Sequence, residues 1–276
     1  MSTNVTPQRN RLLAALPIDV QERLFDHLEL TSLSPGKLLY ASGDVQSHAW
    51  FPTDSIVSLQ QITEQGASSE IVVVGNEGLV GTSFFMGGAS HPWQAVVQSA
   101  GTAYRLAGHR LVEEFNRHGA LLKLMLRYMQ SQITQMAQLV LCNRHHSVDQ
   151  QLCRWLLLSL DRLPCCEVKM TQERIGSMLG VRRETVTQAA TKLQKEGVIE
   201  YRRGQITVLD RLKLEQLSCG CHAAIKEEAD RLLHCQHHTP AAHLNLRAIS
   251  GINDQAFCSR GNPRRQPLML CANANA

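Results

Sequence analysis

The sequence predicts an α+β chain in three parts: an N-terminal β-roll of the double-stranded β-helix or jelly-roll kind, a long helix, and a C-terminal unit of short helices closed by a β-hairpin. Three observations carry this reading. Short apolar runs separated by turn residues fill 33–106, no Gly or Pro interrupts Ala120–Asp161, and Met170–Lys195 holds two amphipathic stretches around Gly176 and Gly180. A length of 276 residues accommodates two hydrophobic cores and a connector. The expected parts are a β-roll with its leading helix over 12–118, a long helix over 119–145, the helix-and-hairpin unit over 146–213, a C-terminal helix over 214–234 and a disordered tail over 235–276.

Residues 12–30 place Leu16, Val20, Leu24 and Leu28 on one helical face. Strand-like runs follow at Lys37–Tyr40, Ser55–Gln60, Ile71–Val74 and Ala95–Val97. Pro35-Gly36, Ser42-Gly43-Asp44, Gln65-Gly66, Gly75-Asn76 and Gly87-Gly88 supply the turns.

The long helix carries two stripes. Leu121, Met125, Tyr128, Gln132, Met136 and Leu139 form the first, and Leu122, Met129, Ile133 and Val140 the second. About 25 residues make a rod of roughly 37 Å, longer than the edge of a small β-domain. One stripe is therefore expected on the roll and the other on a second subunit, with the first assigned to dimerisation. His145-His146-Ser147-Val148-Asp149 breaks the rhythm and marks a hinge, its histidines read as solvated linker residues. A further helix over Gln150–Leu163 ends at Pro164.

Met170–Lys195 has the requirements of a helix-turn-helix: Gly176 where the helices cross, Gly180 in the turn, and Ile175, Leu179, Val186, Ala189, Ala190 and Leu193 facing inward. Thr171 is the expected N-cap. Arg182, Arg183, Glu184, Thr187, Gln188, Thr191 and Lys192 line the outward face of the second helix, with Thr171, Gln172 and Thr185 beside them. Such side chains reach base edges and phosphates when a helix lies in the major groove of double-stranded DNA. Two alternating runs joined at Arg203-Gly204 form a hairpin with a basic tip at Arg202 and Arg203, placed as a wing against phosphate. The net charge is only +4, but its excess is concentrated here.

With these residues in view, 12–233 resembles the Crp/Fnr family of bacterial transcription regulators. Val181-Arg182-Arg183-Glu184-Thr185-Val186 is similar to that family's recognition-helix core. Pro35-Gly36-Lys37-Leu38, Gly43-Asp44 and Gly75-Asn76-Glu77-Gly78-Leu79-Val80-Gly81 resemble the turns of its cyclic-nucleotide-binding roll. The resemblance implies a winged helix-turn-helix, a homodimer formed by the long helix, an inverted-repeat operator, Arg183 and Glu184 as base readers, and RNA polymerase as a further partner. There are departures. Arg182 stands where a small hydroxyl residue commonly caps the recognition helix, and Gln188 where the catabolite-activator branch has Arg. Glu77, Gly78, Trp93 and Gln94 are the candidate effector pocket. The stretch 87–97, where family members place an Arg-Ser pair on the cyclic phosphate, contains no arginine, so a cyclic nucleotide is not expected.

Cys219-Gly220-Cys221-His222, with Cys235 and His237-His238, has the composition of a metal site. On a continuous helix over Leu212–Leu233, Cys219 and Cys221 would point about 200° apart, so both reach one ion only if the helix breaks at Gly220. Cys219, Cys221 and His222 are weak ligand candidates, and ordinary reduced thiols are the leading reading. The iron–sulfur cluster of the family's oxygen-sensing branch is not expected, because no cysteine precedes Cys142.

No apolar run reaches the roughly 18 residues of a membrane span, and Met1–Asn10 is polar. The odd count of nine cysteines in a chain this long fits a reducing cytoplasm. No Ser-His-Asp order, phosphate loop or paired carboxylates stand out, so no enzymatic activity is expected. The alternative to a DNA-binding regulator is a ligand-binding or redox- or metal-sensing module whose helix-turn-helix does not bind DNA specifically.

Overall fold

The computed structural model describes residues 5–88 and 90–233. The tail expected over 235–276, with Cys235, His237 and His238, lies outside the described residues.

The N-terminal apolar stretch forms two helices and a strand instead of one helix. Asn10 caps α1 (Arg11–Ala14) by accepting the Leu12 and Leu13 N–H groups, and α2 (Ile18–Phe25) starts directly after Pro17, whose fixed φ suits a helix entry. Leu16, Val20 and Leu24 are buried, as their spacing predicts. Beyond Leu28 the chain enters β1 (Glu29–Leu33), because its backbone groups pair with a strand far along the sequence.

The roll continues through β2 (Leu38–Tyr40), β3 (His48–Pro52), β4 (Ile56–Ile62), β5 (Ser68–Val74), α3 (Ser83–Met86), β6 (Gln94–Ser99), β7 (Gly101–Ala107) and α4 (Gly108–Phe115). Its strands form two antiparallel sheets, in the orders β1-β7-β3 and β2-β6-β4-β5. Val57, Leu59, Val72, Val74, Ala95 and Val97 make one core, in the runs the sequence marks as strands. The strands β1, β3 and β7 carry no such signal.

From the roll, α5 (Ala120–His145) leads to α6 (Val148–Leu160), which a Ser147–Gln150 capping box opens. The rest follows as β8 (Glu167–Lys169), α7 (Gln172–Leu179), α8 (Arg183–Lys195), β9 (Ile199–Arg202), β10 (Gln205–Val208), α9 (Arg211–Leu217) and α10 (Cys221–Leu233). A second core gathers Leu152, Trp155, Leu156, Ile175, Val186 and Leu193 under these elements. The C-terminal helix expected over 214–234 is two helices, parted at Ser218–Gly220.

Of the two stripes of α5, the first is the one covered by the chain itself. Leu121, Met125, Tyr128, Gln132 and Leu139 are buried within the subunit and Met136 half-buried. Leu121, Met125 and Tyr128 pack in the core that contains Phe51 and Leu106 of the roll. The assignment of this stripe to dimerisation is therefore corrected: its apolar surface is already covered by the chain's own roll and helices. The opposite face leaves Leu126, Ile133 and Val140 at 57%, 61% and 72% exposure. Among the described residues no helix is long and apolar enough to cross a membrane.

Candidate nucleic-acid interface

Helix α7 begins at Thr171, whose hydroxyl accepts the Arg174 N–H at 3.3 Å, and ends at Gly180 with φ 68°, a left-handed turn that glycine takes without a steric penalty. Gly176 sits at the crossing. A Cβ there would come within 2.9 Å of the Val181 carbonyl oxygen, so only glycine lets the turn fold back this tightly. The Val181 N–H completes the turn by donating to the Gly176 carbonyl at 2.9 Å.

These constraints aim α8. Val186, Ala189, Ala190 and Leu193 are buried, and Arg182, Arg183, Glu184, Gln188, Thr191 and Lys192 are exposed on the other side. Arg182 is the N-cap and makes no side-chain cap hydrogen bond, which leaves its guanidinium outside the helix. Thr185 and Thr187 are half-buried. The Thr187 hydroxyl donates to Gln172 Oε1 at 2.7 Å, so these two residues brace the helix pair. Lys192 also has an ion-pair partner. Its Nζ meets Asp149 at 2.7 Å, which turns it toward α6.

The wing forms as read. β9 and β10 pair antiparallel with Gln205 opposite Arg202, and Arg203 and Gly204 take the positive φ values, 49° and 79°, of a tight two-residue hairpin. Both Arg202 and Arg203 are exposed, Arg202 pairing with Glu200 at 2.6 Å. A third strand, β8, joins the hairpin along β10. Its three residues are too few to produce an alternation in sequence.

The four candidate effector residues fall into two separate environments. A Cβ on Gly78 would lie 2.5 Å from the Tyr128 hydroxyl, which bonds both the N–H and the carbonyl of Leu79, so this glycine admits α5 against the roll. Glu77 accepts from Arg162 Nε at 2.7 Å, a residue just past α6. Trp93 instead stacks on His91 with centroids 4.4 Å apart, and Gln94 donates to Gln60 at 3.1 Å. Glu77 is thus engaged by the C-terminal unit, whereas Trp93 packs on a residue of its own roll. The sequence offered no sign of Arg162 as its partner.

His222 also departs from its reading as a ligand. Its Nε2 lies 2.8 Å from Asp161. Burial pushes the Asp161 carboxyl upward, but hydrogen bonds from His222 and Arg211 outweigh that and hold it down at about 2. Cys219 and Cys221 are instead joined by Cys142 and His146, from the end of α5. His146 is half-buried with Nδ1 3.5 Å from the Cys221 sulfur, so it is not a solvated linker residue.

The architecture is thus a β-roll joined by a long helix to a helix-turn-helix unit with a β-hairpin wing. Residues 150–217 match the family model for the Crp-like helix-turn-helix domain. A comparison with curated proteins returns no match. Among solved structures, an inferred Crp/Fnr-family transcriptional regulator from Eubacterium rectale matches at 17% identity and a TM-score of 0.60, covering 76% of this chain and 98% of that one. FixK2 from Bradyrhizobium japonicum matches at 16% and 0.59, over 70% and 98%. A CRP/FNR-family transcriptional regulator from Thermus thermophilus matches at 20% and 0.55, over 69% and 98%. The chain carries a Crp-like helix-turn-helix domain and is of the Crp/Fnr type in its fold.

Proposed function

We propose that the protein is a sequence-specific DNA-binding transcription regulator that reads an inverted-repeat operator as a homodimer, with the β-roll as its effector-responsive part. The observation that carries this reading is the first turn of α8, where Arg183 and Glu184 are exposed on a helix whose opposite face is locked into the core. Arg suits guanine O6 and N7, and Glu accepts from cytosine N4. Arg203 at the wing tip supports the same reading as a phosphate contact.

Selection of bound sequences from random duplex DNA, followed by titration, tests it. Arg183→Ala is expected to lose about 1–3 kcal/mol of discrimination at one base pair of each half-site. Arg203→Ala is expected to weaken all duplexes alike and to lower the salt slope by about one. An Arg183→Ala protein with affinity and preference both intact would remove α8 as the reading helix.

The second copy is assigned to the outward stripe of α5. Leu122, Leu126, Met129 and Ile133 follow one another at four, three and four residues, and Val140 lies one heptad beyond Ile133, the rhythm of a helix seam. Ile133→Asp combined with Leu126→Asp is expected to yield monomers in sedimentation equilibrium with unchanged circular dichroism. Dimers that persist would place the seam elsewhere.

A further inference from the structure

A cysteine within a helix break and another at the helix start just past it, together with a cysteine and a histidine one helical turn apart, converge beside the hinge between α5 and α6. Cys142 and His146 are four residues apart and so share a face at the end of α5. Ser218–Gly220 interrupts the C-terminal helices, which lets Cys219 and Cys221 face the same point. The ligand atoms of all four residues lie within 4.8 Å of one another. The three cysteines are buried and His146 is half-buried.

The distances select the kind of ion. Zinc binds thiolate at about 2.3 Å and imidazole at about 2.0 Å, so tetrahedral geometry requires sulfurs about 3.8 Å apart and sulfur and nitrogen about 3.5 Å apart. The Cys142 and Cys219 sulfurs are 3.5 Å apart, and Cys221 Sγ stands 3.5 Å from His146 Nδ1. A small opening of the sulfur pair seats a single ion. A [4Fe–4S] cube has no room within a 4.8 Å span, since its cage separates the ligating thiolates further. Three thiolates and a neutral imidazole on Zn²⁺ leave one net negative charge. Arg154, a buried cation whose Nε and Nη1 make no hydrogen bond among the described residues, is suited to offset that charge.

We propose that Cys142, His146, Cys219 and Cys221 bind one zinc ion in a tetrahedral Cys₃His site that ties the end of α5 to the α9–α10 junction. Binding replaces three S–H protons: Zn²⁺, three thiols and one neutral imidazole give the bound complex and three H⁺. The ion adds no redox chemistry. It cross-links the hinge through residues far apart in sequence, so the helix carrying the outward stripe and the unit carrying α8 become one rigid piece there. This assignment does not depend on the DNA-binding reading, and it is tested without DNA.

The full chain, purified with a non-thiol reductant and no chelator, is expected to carry about one zinc per subunit by plasma mass spectrometry. The paired substitution Cys142→Ala with Cys219→Ala should remove the metal, whereas Cys165→Ala, an exposed cysteine outside the cluster, should retain it. Should the paired variant misfold, the wild-type chain decides the matter alone. After chelator stripping, added Co²⁺ should give tetrahedral d–d absorption with thiolate-to-cobalt charge transfer, and the thermal midpoint should rise on adding Zn²⁺. Four results would each overturn the site: a stripped chain that takes up no cobalt, octahedral cobalt without thiolate bands, metal retained in the paired variant, or acid-labile sulfide with iron in place of zinc.

Discussion

Arg162→Ala is expected to destabilise the folded chain by about 3–5 kcal/mol, because it leaves a carboxylate enclosed without its cation. The Arg162 side chain is 7% exposed and that of Glu77 14%, and Nε lies 2.7 Å from Glu77 Oε1. Its Nη1 also donates to the Leu158 carbonyl at 2.6 Å, closing the end of α6. The stem lies against Gly75, where a Cβ would come within 2.6 Å of Arg162 Cγ. Glu77 Oε2 already has no partner among the described residues, so the Arg162 bond is its main compensation. The ion pair joins the roll to the C-terminal unit, and its loss should loosen both. The measurement is a double-mutant cycle of thermal or denaturant unfolding. Arg162→Leu with Glu77→Leu should recover much of what either single change loses. Losses that add in full would show that the two side chains do not share one interaction.

The second large effect is a pH dependence set by Glu70. This β5 residue is 6% exposed and accepts a hydrogen bond from the Ser58 hydroxyl at 2.7 Å. Burial raises its carboxyl from an ordinary 4.5 to about 7, against smaller opposing contributions from Ser58, Arg154 and Arg162. The folded state therefore holds this proton more tightly than the unfolded one. Its contribution to stability is fully present below pH 4.5 and is lost as pH rises through about 7. The gap between those values corresponds to about 3 kcal/mol. Glu70→Gln keeps an acceptor for Ser58 and removes the titration. Unfolding at pH 5 and pH 8 should show the wild type losing stability between the two, with the variant losing less by about 2–3 kcal/mol. Identical pH slopes for the two chains would mean that Glu70 is ionised in the fold throughout.

The helix-turn-helix was readable in the sequence because its constraints are local. Gly176 and Gly180 mark a crossing and a left-handed turn within a few residues, and the apolar spacing of α8 names its buried face directly. The strands β4 and β5 were visible for the same reason, being long enough to show their runs. The strand β8 was too short, and β1 was hidden in a stretch whose apolar spacing also fits a helix. Pro17 was the available sign that this stretch divides. Cys142 and His146 had a signal too, their four-residue spacing at the end of a helix, but nothing in the sequence linked them to Cys219 and Cys221.

What the sequence determined by itself was the order of parts, the placement of the helix-turn-helix and the identity of the residues on its outward face, since periodicity and turn chemistry are properties of neighbours along the chain. Only the tertiary structure decided which stripe of α5 is covered by the roll, that Glu77 meets Arg162, and that four metal-binding side chains share one point. Periodicity reveals that a face is apolar without saying what covers it. Side chains 77 or 85 residues apart meet only when packing brings their elements together.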